Sequence, residues 1–381
     1  MSDLGDGPVA LDVSAIPARP AGAGTYVIEL VRALAAVRDV DLALVTRRDD
    51  EARWHALAPG ATVSPTAPVR RPVRLAWEQS WAQGAARRLD ASVWHGPHYT
   101  LPLLLTRPRV VTVHDLTFFD NPEWHEPGKV AFFTRMTRLS VRRADVVVAV
   151  SDRTADRLQE LLVPTAPVAA IPHGVDHTRF RVAAPDDGDA DLARLADLAV
   201  RPPFIAFAGT VEPRKNLPAL IRAFSDVAAA QPDLTLVLAG RPGWGSDEVD
   251  SAIASSPVAE RIRLLGYVEE EVIPVLFRCA AAVAYVPFAE GFGLNALEAL
   301  ACGAPLVTTA DTPMADMVGE AALTVPAGDH DALVDALRAL VTAGPDVERM
   351  RRAGPAVAAP WTWARCAAAH VDVYRRAAAG R

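Results

Sequence analysis

Two glutamates eight residues apart flank a glycine-containing loop in the second half of the chain. Glu290 and Glu298 are the ends of the segment Glu-Gly-Phe-Gly-Leu-Asn-Ala-Leu-Glu, which follows an apolar run. Gly291 and Gly293 would let the backbone approach a ligand closely. A helix predicted to begin at Leu294 would direct free N–H groups toward phosphate or sugar oxygens. The two carboxylates could accept hydrogen bonds from hydroxyls on one long ligand, or could be a helix cap and a solvated side chain.

Two adjacent cations, Arg214 and Lys215, follow a predicted strand and a turn at Gly209. They precede a helix predicted from Leu217, where positive charge is unfavourable against the helix dipole. A guanidinium can donate to two phosphate oxygens at once, and an ammonium adds a point charge. The pair therefore predicts a site that neutralises a diphosphate leaving group without a metal, the alternative being an ordinary surface pair.

A second pair of glycines, Gly22 and Gly24, separates the first predicted strand from the first predicted helix. Their backbone amides could contact a phosphate or an acceptor, although a tight turn between strand and helix uses glycine as well. A dinucleotide-binding fingerprint would need a third glycine where the chain has Val27, so NAD binding is not indicated.

Histidines follow two predicted strands of the first half. His114 stands directly after the apolar run that begins at Arg109, at the carboxyl end where ligand sites of α/β sheets form. It could bind a sugar hydroxyl or be a structural histidine. His95 and His98 surround a Gly-Pro pair after another strand and are predicted on the acceptor side of a site.

The elements that must position these residues are short β-branched runs alternating with longer helical segments, which is typical of parallel sheets covered by helices. The strands are predicted at Val9–Ile16, Val40–Thr46, Ser92–His95, Arg109–His114, Val146–Val150, Val168–Ile171, Phe204–Ala208, Leu234–Ala239, Ile262–Leu265, Ala282–Tyr285, Leu306–Thr309 and Ala322–Val325. One helix is predicted over Trp77–Leu89 and a linker over Val182–Pro203. The fold class is thus α/β, with two Rossmann-like doubly wound domains, residues 1–180 and 181–362, facing a central cleft.

Composition narrows the class of function. The 381 residues carry a net charge of −7 without a Lys/Arg-rich tract, so a nucleic-acid polymer is not an expected partner. Cys279, Cys302 and Cys366 lie too far apart to suggest a disulfide framework or a zinc site. No signal peptide or apolar stretch of about 20 residues is evident, which predicts a cytoplasmic protein. A weak peripheral contact with the inner face of the membrane stays open, since Arg70, Arg71 and Arg74 could meet a phosphate-bearing acceptor or could be a solvated basic loop.

The two spaced glutamates, the Gly-Phe-Gly after the first and the Ala-Cys-Gly-Ala-Pro after the second resemble the signature of the family 4 glycosyltransferases. The string Gly-Thr-Val-Glu-Pro-Arg-Lys-Asn and the early glycine loop occur in the order that the family shows, so the resemblance covers most of the chain. It implies the two-domain GT-B fold, a final helix over residues 363–381 that returns to the first domain, and transfer with retention of anomeric configuration.

The resemblance also implies a role for each site residue. Glu290 and His114 would contact the donor sugar, and Glu298 the ribose. Arg214 and Lys215 would bind the diphosphate. The donor-binding set becomes Gly22, Gly24, Gly209, Gly291, Phe292, Gly293, Leu294 and Glu298.

Two positions differ from the pattern of many relatives. His173 stands where they often have Asn, in a segment that the resemblance assigns to the hinge and the lining of the cleft. Asn295 replaces a frequent proline beside the donor-sugar loop, so the sugar preference stays open.

The combined prediction is a retaining glycosyltransferase that uses a GDP- or UDP-sugar, of mannose or glucose type, and no metal or other cofactor. Its acceptor would be a hydroxyl of a glycan or a lipid-linked molecule, and front-face attack would pass the acceptor proton to the leaving phosphate. A metal-dependent GT-A enzyme is not favoured, because no Asp-x-Asp metal site is expected: Asp311 and Asp316 are too widely spaced, and the run Asp186-Asp187-Gly-Asp189 lies in the predicted linker. A sucrose-synthase-like transferase, a sugar-nucleotide epimerase and a non-catalytic nucleotide-sugar-binding protein remain alternatives. The oligomeric state is not predicted.

Overall fold

A computed structural model describes residues 7–20 and 22–380 of the chain. These residues form two compact units. The first takes in the chain up to Gly174 and resumes at Trp363, and the second is Val175–Thr362. The sequence prediction puts the first change of domain at residue 180 and the last at residue 363.

Each unit contains one parallel sheet. The strands are β1 Val9–Asp12, β2 Leu42–Arg47, β3 Thr62–Ala67, β4 Val93–Gly96, β5 Arg109–Val113, β6 Val146–Ala149, β7 Val168–Ala170, β8 Phe204–Ala208, β9 Thr235–Ala239, β10 Ile262–Gly266, β11 Ala282–Tyr285, β12 Leu306–Thr309 and β13 Ala322–Val325. Central strands such as β6 are buried at every residue, because helices cover both faces of the sheet.

The helices fill the connections between strands. They are α1 Ala23–Ala35, α2 Glu51–Leu57, α3 Arg71–Ser80, α4 Ala82–Arg88, α5 Thr117–Asp120, α6 Pro127–Arg143, α7 Asp152–Leu162, α8 Asp187–Asp197, α9 Leu217–Ala228, α10 Asp247–Ala254, α11 Val272–Cys279, α12 Leu294–Ala301, α13 Pro313–Val318, α14 His330–Val341, α15 Pro345–Ala358 and α16 Trp363–Ala379. Within the part of the chain that the structure describes, no helix is long and apolar enough to cross a bilayer.

The strand order places the switch point of each sheet beside its first strand. The first sheet runs β3-β2-β1-β4-β5-β6-β7 and the second runs β10-β9-β8-β11-β12-β13. In both, the chain first adds two strands on one side of the first strand and then crosses back to its other side, which opens a crevice at the carboxyl edge of the sheet. The predicted pair of doubly wound, Rossmann-like parallel sheets is confirmed.

Several local predictions are wrong. The single helix over Trp77–Leu89 is two helices, α3 and α4, that meet at Trp81. The first of them begins at Arg71, six residues earlier than predicted, with Pro72 in its first turn, where proline is favoured. Strand β3 and helix α2 were not predicted, since β3 contains a proline and α2 has only seven residues.

The predicted linker over Val182–Pro203 contains helix α8, which belongs to the second unit. Its buried Asp191 accepts two hydrogen bonds from Arg278 of α11, at 2.8 and 2.6 Å. A paired fork of this kind fixes the helix against its neighbour. The segment is therefore part of the packed unit even though its composition is that of a loop.

The last helix, α16, packs on the first unit, against α1 and the strands β4 to β6. Residues of α16 such as Val371 and Ala367 are buried there. The apolar face of the helix accounts for this position, because it needs a partner surface to leave water.

Candidate functional site

One carboxylate at the carboxyl edge of the second sheet receives three hydrogen bonds. Glu290 Oε2 lies 2.6 Å from Arg214 Nη1, 2.5 Å from Lys215 Nζ and 3.1 Å from the hydroxyl of Tyr285. A second carboxylate, Glu212, accepts from Arg214 Nη2 at 2.8 Å. The structure thus brings together the glutamate and the two cations that the sequence predicts, and adds Glu212 and Tyr285.

The two loops that carry these residues are those of the switch point, after β8 and after β11. They are tied together by their backbones, since Phe288 N donates to Arg214 O at 2.9 Å. Arg214 Nη1 also donates to the Ala289 carbonyl at 3.2 Å. Asn216 adds a bond from its side-chain amide to Val286 O at 3.4 Å. The cations and the glutamate therefore keep their positions through the backbone as well as through charge.

The charged groups of the cluster have little access to solvent. Burial would raise the pKa of Glu290, but Arg214 and Lys215 outweigh it and bring that pKa to about 2. Burial and Arg214 lower the pKa of Lys215, while Glu290 and Glu212 oppose them. Two cations face two carboxylates, so the local charges balance within the protein.

Helix α12 begins at a backbone position that only glycine occupies easily. Gly293, the N-cap residue, has φ +95°, and a Cβ there would lie 2.1 Å from Met314 Cγ. Met314 is itself buried and contacts the hydroxyl of Thr308. Gly209 has φ +145°, and a Cβ there would lie 3.2 Å from Cζ of the Phe207 ring. Both turns allow close approach of backbone to backbone or to a ligand.

The other predicted residues of this edge belong to the same loop and helix. Gly291 and Phe292 are buried, and the Phe292 ring lies edge-on to Trp361 at 5.8 Å. Leu294 and Glu298 are partly buried on the first turns of α12.

Asn295, on the same first turn of α12, has a definite partner. Its side-chain amide donates to Ala208 O, the last carbonyl of β8, at 2.5 Å. It thus links the start of α12 to the strand that precedes Gly209. A proline at this position would lack such a donor.

In the first unit, His114 directly follows β5 and is 7% exposed. Its Nε2 lies 2.9 Å from the Pro97 carbonyl. Because a carbonyl only accepts, Nε2 carries the proton and Nδ1 of the neutral ring is an acceptor. Burial lowers the pKa of His114, although Pro97 and Asp115 oppose it, so the ring is neutral near pH 7. A neutral acceptor suits a hydroxyl group.

His98 is a neighbour of His114, with ring centroids 5.8 Å apart. It is partly buried, and burial together with His114 lowers its pKa to about 3. Gly22 is exposed immediately before α1, and Gly24 is buried in its first turn.

His173 is buried among aromatic rings of the first unit, 4.7 Å from Tyr26 and 5.8 Å from Trp363 between centroids. It packs in this unit close to the end of its first segment at Gly174.

The expected acceptor-side position of His95 is wrong, because His95 is fully buried in the core of the first unit. Its Nδ1 lies 2.8 Å from the hydroxyl of Tyr374, on α16, and its Nε2 lies 2.8 Å from Thr112 Oγ1, on β5. Both ring nitrogens thus bind core side chains. Burial lowers the pKa of His95 well below its usual value, so the ring is neutral.

The same hydrogen-bonded chain continues from Thr112 to α16. The Tyr26 hydroxyl lies 3.1 Å from Thr112 Oγ1 and 2.9 Å from His370 Nε2. His370 Nδ1 must donate to the Cys366 carbonyl at 2.8 Å, so Nε2 accepts from Tyr26. This assignment determines the direction of every other bond in the chain. The chain of buried polar groups joins α16 to α1, β4 and β5. We call it the α16 relay: Tyr374, His95, Thr112, Tyr26 and His370.

Metal ligands do not cluster in the described part of the chain. Within residues 7–20 and 22–380, no group of three or more His, Cys, Asp or Glu could hold a metal ion. The Asp187-Gly-Asp189 pair lies on α8, where Asp187 is paired with Arg181. A further pair with this spacing, Asp39 and Asp41, is exposed just before β2, at the amino edge of the sheet.

Comparison with protein families accounts for both units. A model described as "Glycosyltransferase Family 4" matches residues 20–179, and one described as "Glycosyl transferases group 1" matches residues 196–357. The chain belongs to the family 4 glycosyltransferases. The predicted family is thereby confirmed. The second matched region contains every strand of the second sheet, and the first contains the first sheet except for β1.

Named relatives of this glycosyltransferase include O-antigen chain mannosyltransferase B of Escherichia coli. It is 28% identical over 323 residues, which are 78% of this chain and 77% of that protein. A D-inositol 3-phosphate glycosyltransferase of Nocardia farcinica is 31% identical over 251 residues, 62% of this chain and 54% of that protein. The second match therefore spans about half the length of the relative.

Solved structures show the same fold. Sucrose-phosphate synthase from Thermosynechococcus elongatus aligns with a TM-score of 0.79 at 20% identity, over 99% of this glycosyltransferase and 100% of that chain. HepE of Anabaena, solved in complex with UDP and glucose, aligns with a TM-score of 0.77 at 18% identity, over 97% and 99%. The predicted GT-B fold is confirmed at the level of its two Rossmann-like domains.

Proposed function

We propose that this glycosyltransferase moves a hexose of mannose or glucose type from a nucleoside diphosphate sugar to a hydroxyl acceptor, with retention of anomeric configuration. The observation that carries the proposal is the cluster of Arg214, Lys215 and Glu290 at the switch point of the second sheet. A pair of cations and a carboxylate in one small site matches a ligand that has both a diphosphate and hydroxyl groups.

The diphosphate would bind Arg214 and Lys215. These cations now pair with Glu212 and Glu290, so the phosphate oxygens would compete with two carboxylates. Glu212 is the more exposed of the two, with 26% of its side chain accessible against 15% for Glu290. We therefore propose that Glu212 releases Arg214 when the donor binds.

In the reaction, the bond between the anomeric carbon and the phosphate oxygen breaks while the acceptor oxygen forms a new bond on the same face. The leaving phosphate takes the proton of the acceptor hydroxyl. Arg214 and Lys215 would stabilise the charge that develops on that phosphate, as preorganised donors do in other enzymes. No metal is needed in this scheme, because two cations already face the leaving group.

Glu290 would accept hydrogen bonds from the donor sugar, since a pKa of about 2 keeps its carboxylate ionised. Glu298 would bind the ribose from the first turns of α12. In the first unit, His114 offers a ring nitrogen as an acceptor for a substrate hydroxyl.

The names of the relatives support a hexose donor. One is a mannosyltransferase and others are inositol phosphate glycosyltransferases, so a GDP-hexose or a UDP-hexose is the first donor to test. The acceptor we propose is a hydroxyl of a glycan or of a lipid-linked intermediate.

A thermal-shift screen against GDP-, UDP-, ADP- and TDP-sugars tests the donor, because a ligand that binds only the folded protein raises the melting temperature. The proposed function expects one nucleotide to stand out and turnover to persist in EDTA. NMR of the product then tests the stereochemistry, and an inverted linkage contradicts retention. Conversion of the donor without an acceptor would indicate an epimerase instead.

A further inference from the structure

The hydroxyl of Tyr285 contacts both Lys215 Nζ and Glu290 Oε2. An ammonium can only donate and a carboxylate can only accept, so the directions of both bonds are determined. Lys215 donates to the phenol oxygen, and the phenol donates to Glu290. Because Lys215 also donates to Glu290 directly, at 2.5 Å, the three side chains form a closed ring of hydrogen bonds.

The ring of Tyr285 has a fixed place. It is the last residue of β11, is 2% exposed, and stacks on Phe207 with centroids 5.8 Å apart. Its carbonyl accepts a hydrogen bond from Thr308 on the neighbouring strand at 2.9 Å. Lys215 Nζ lies 4.9 Å from the centre of the same ring. A rigid, buried phenol therefore supports a flexible ammonium and a loop carboxylate.

We propose that Tyr285 is a positioning residue for donor binding, which holds Lys215 and Glu290 at the separation that the diphosphate and the sugar require. The effect that we expect on catalysis rests on the proposed function. Without the hydroxyl, the Lys215 ammonium can still donate to Glu290. It loses the phenol oxygen, a neutral acceptor that does not compete with phosphate for the charge of the ammonium. The position of the ammonium would then depend on the loop that carries Glu290 and no longer on Tyr285 at the end of β11.

The composition of the chain allows a direct test, because its two lysines are Lys129 and Lys215. In a Lys129→Arg background, lysine labelled with 13C at Cε gives one signal, that of Lys215. Its pKa depends on the groups that face it, which are Arg214 and Glu212 from the loop after β8, Glu290 from the loop after β11, and Tyr285. Tyr285→Phe removes the last of these and leaves the charges of the other three in place, although Glu290 loses one of the hydrogen bonds that it accepts.

The expected result is that Tyr285→Phe lowers the pKa of Lys215 by about one unit or more, since a hydrogen bond to the charged form is lost. Tyr374→Phe is the matched control, as it removes a buried tyrosine hydroxyl from the α16 relay. It should leave the pKa of Lys215 unchanged. An unmoved pKa in Tyr285→Phe overturns the proposal.

Kinetics provide the second readout. Tyr285→Phe should lower kcat/KM for the donor by about 10- to 100-fold, because misplaced groups lose transition-state stabilisation. The alkaline limb of the pH profile should move down with the pKa of Lys215. The NMR titration needs no donor, so it can fail independently of the search for a substrate. Absence of donor binding by the wild type would contradict the proposed function instead.

If Tyr285→Phe does not fold, the wild-type ring remains measurable. Tyrosine labelled with 13C at Cζ gives five signals, one for each tyrosine of the chain. Phe variants of the other four assign that of Tyr285. This signal should shift in Lys215→Met and in Glu290→Gln but not in Lys129→Arg. An unchanged signal in both site variants would overturn the inference.

Discussion

Lys215 is a lysine in a chain whose cations are almost all arginine. Of 39 Lys and Arg residues, only Lys129 and Lys215 are lysine. An ammonium is a compact point charge with three donors, whereas a guanidinium is a planar fork. The space between the Glu290 carboxylate and the Tyr285 phenol accommodates the former, and 7% of the Lys215 side chain is exposed.

Lys215→Met should reduce kcat/KM by about 100- to 1,000-fold, which is the usual effect of removing one preorganised donor from a charge-stabilising site. Steady-state kinetics with the donor found by screening measure the loss. Lys129→Met removes the other lysine, which lies on the surface of α6 with a Glu126 partner, and should leave the rate unchanged. Activity within a few-fold of wild type in Lys215→Met would contradict the assigned role.

Glu212→Gln should strengthen the binding of GDP or UDP by about 3- to 10-fold, because a competing charge-assisted partner of Arg214 is removed. Isothermal titration calorimetry measures the change. Glu260→Gln is the control, since Glu260 is exposed at the opposite, amino edge of the same sheet. Unchanged or weaker nucleotide binding in Glu212→Gln would show that Glu212 supports Arg214 in the bound state as well.

At the scale of elements, the switch-point loops depend on a few backbone positions. The start of α12 is held by Gly293 on one side and by the Asn295 bond to Ala208 on the other. Two further bonds join the loop after β11 to the loop after β8, through Phe288 and Asn216. A substitution that shifts the start of α12 should therefore also shift Arg214 and Lys215.

Gly293→Ala should weaken donor binding and lower the melting temperature more than Gly319→Ala. Both residues have positive φ, a backbone conformation that alanine adopts only with strain. A Cβ at Gly293 would also overlap Met314, whereas one at Gly319 meets nothing within 4 Å. Thermal unfolding with and without donor separates the two effects. Equal losses of melting temperature and of donor binding in the two variants would show that the protein relieves the overlap with Met314 at no cost.

His95→Asn should destabilise the protein by about 2 kcal/mol or more, because it leaves buried polar groups of the α16 relay unsatisfied. The KM for the acceptor should not change, since His95 is enclosed in the core. His55→Asn, at an exposed histidine of the same unit, serves as the control in chemical unfolding. A raised acceptor KM with normal stability would restore His95 to the acceptor site.

At the scale of the whole molecule, neutral histidines are concentrated in the first unit. Burial lowers the pKa of each of five histidines there, to about 4 for His370. The five are His95, His98, His114, His173 and His370. The unfolded chain would protonate them near pH 6.5 and the folded chain would not. Their contribution to stability is therefore complete above about pH 6.5 and is lost as the pH falls below it.

The free energy of unfolding should fall between pH 7.5 and pH 5, with a contribution on the order of 2 kcal/mol from His370 alone. Glu78 works in the opposite direction, since burial and Asp12 raise its pKa to about 8, but five histidines outweigh it. Urea unfolding at several pH values measures the trend. His330→Gln, at a half-exposed histidine, should not alter it. Equal stability at both pH values would contradict this account.

Much of the candidate site was predictable because its signals are local. Glycines at turns, charged pairs after apolar strands and the spacing of Glu290 and Glu298 are all visible along the chain. Parallel strands place their carboxyl ends at one edge, so residues after β8 and β11 had to lie near each other once the sheet order was known. The family itself followed from the order of these motifs.

The partners of each group were not predictable from the chain. Tyr285 joins the site through its contact with Lys215, 70 positions away. Glu212 joins it through Arg214, whose own bond to Glu290 spans 76 positions. His95 has the same sequence context as a site histidine, yet both its ring nitrogens bind core groups, one of them on α16.

The amino-acid sequence alone determined the fold class, the residue types of the candidate site and the family, because periodicity and turn residues act over a few positions. Only the tertiary structure decided which polar groups became structural and which stayed available to a ligand. That choice depends on packing between distant segments, which sets burial and hence the charge and the hydrogen-bond partners of each side chain.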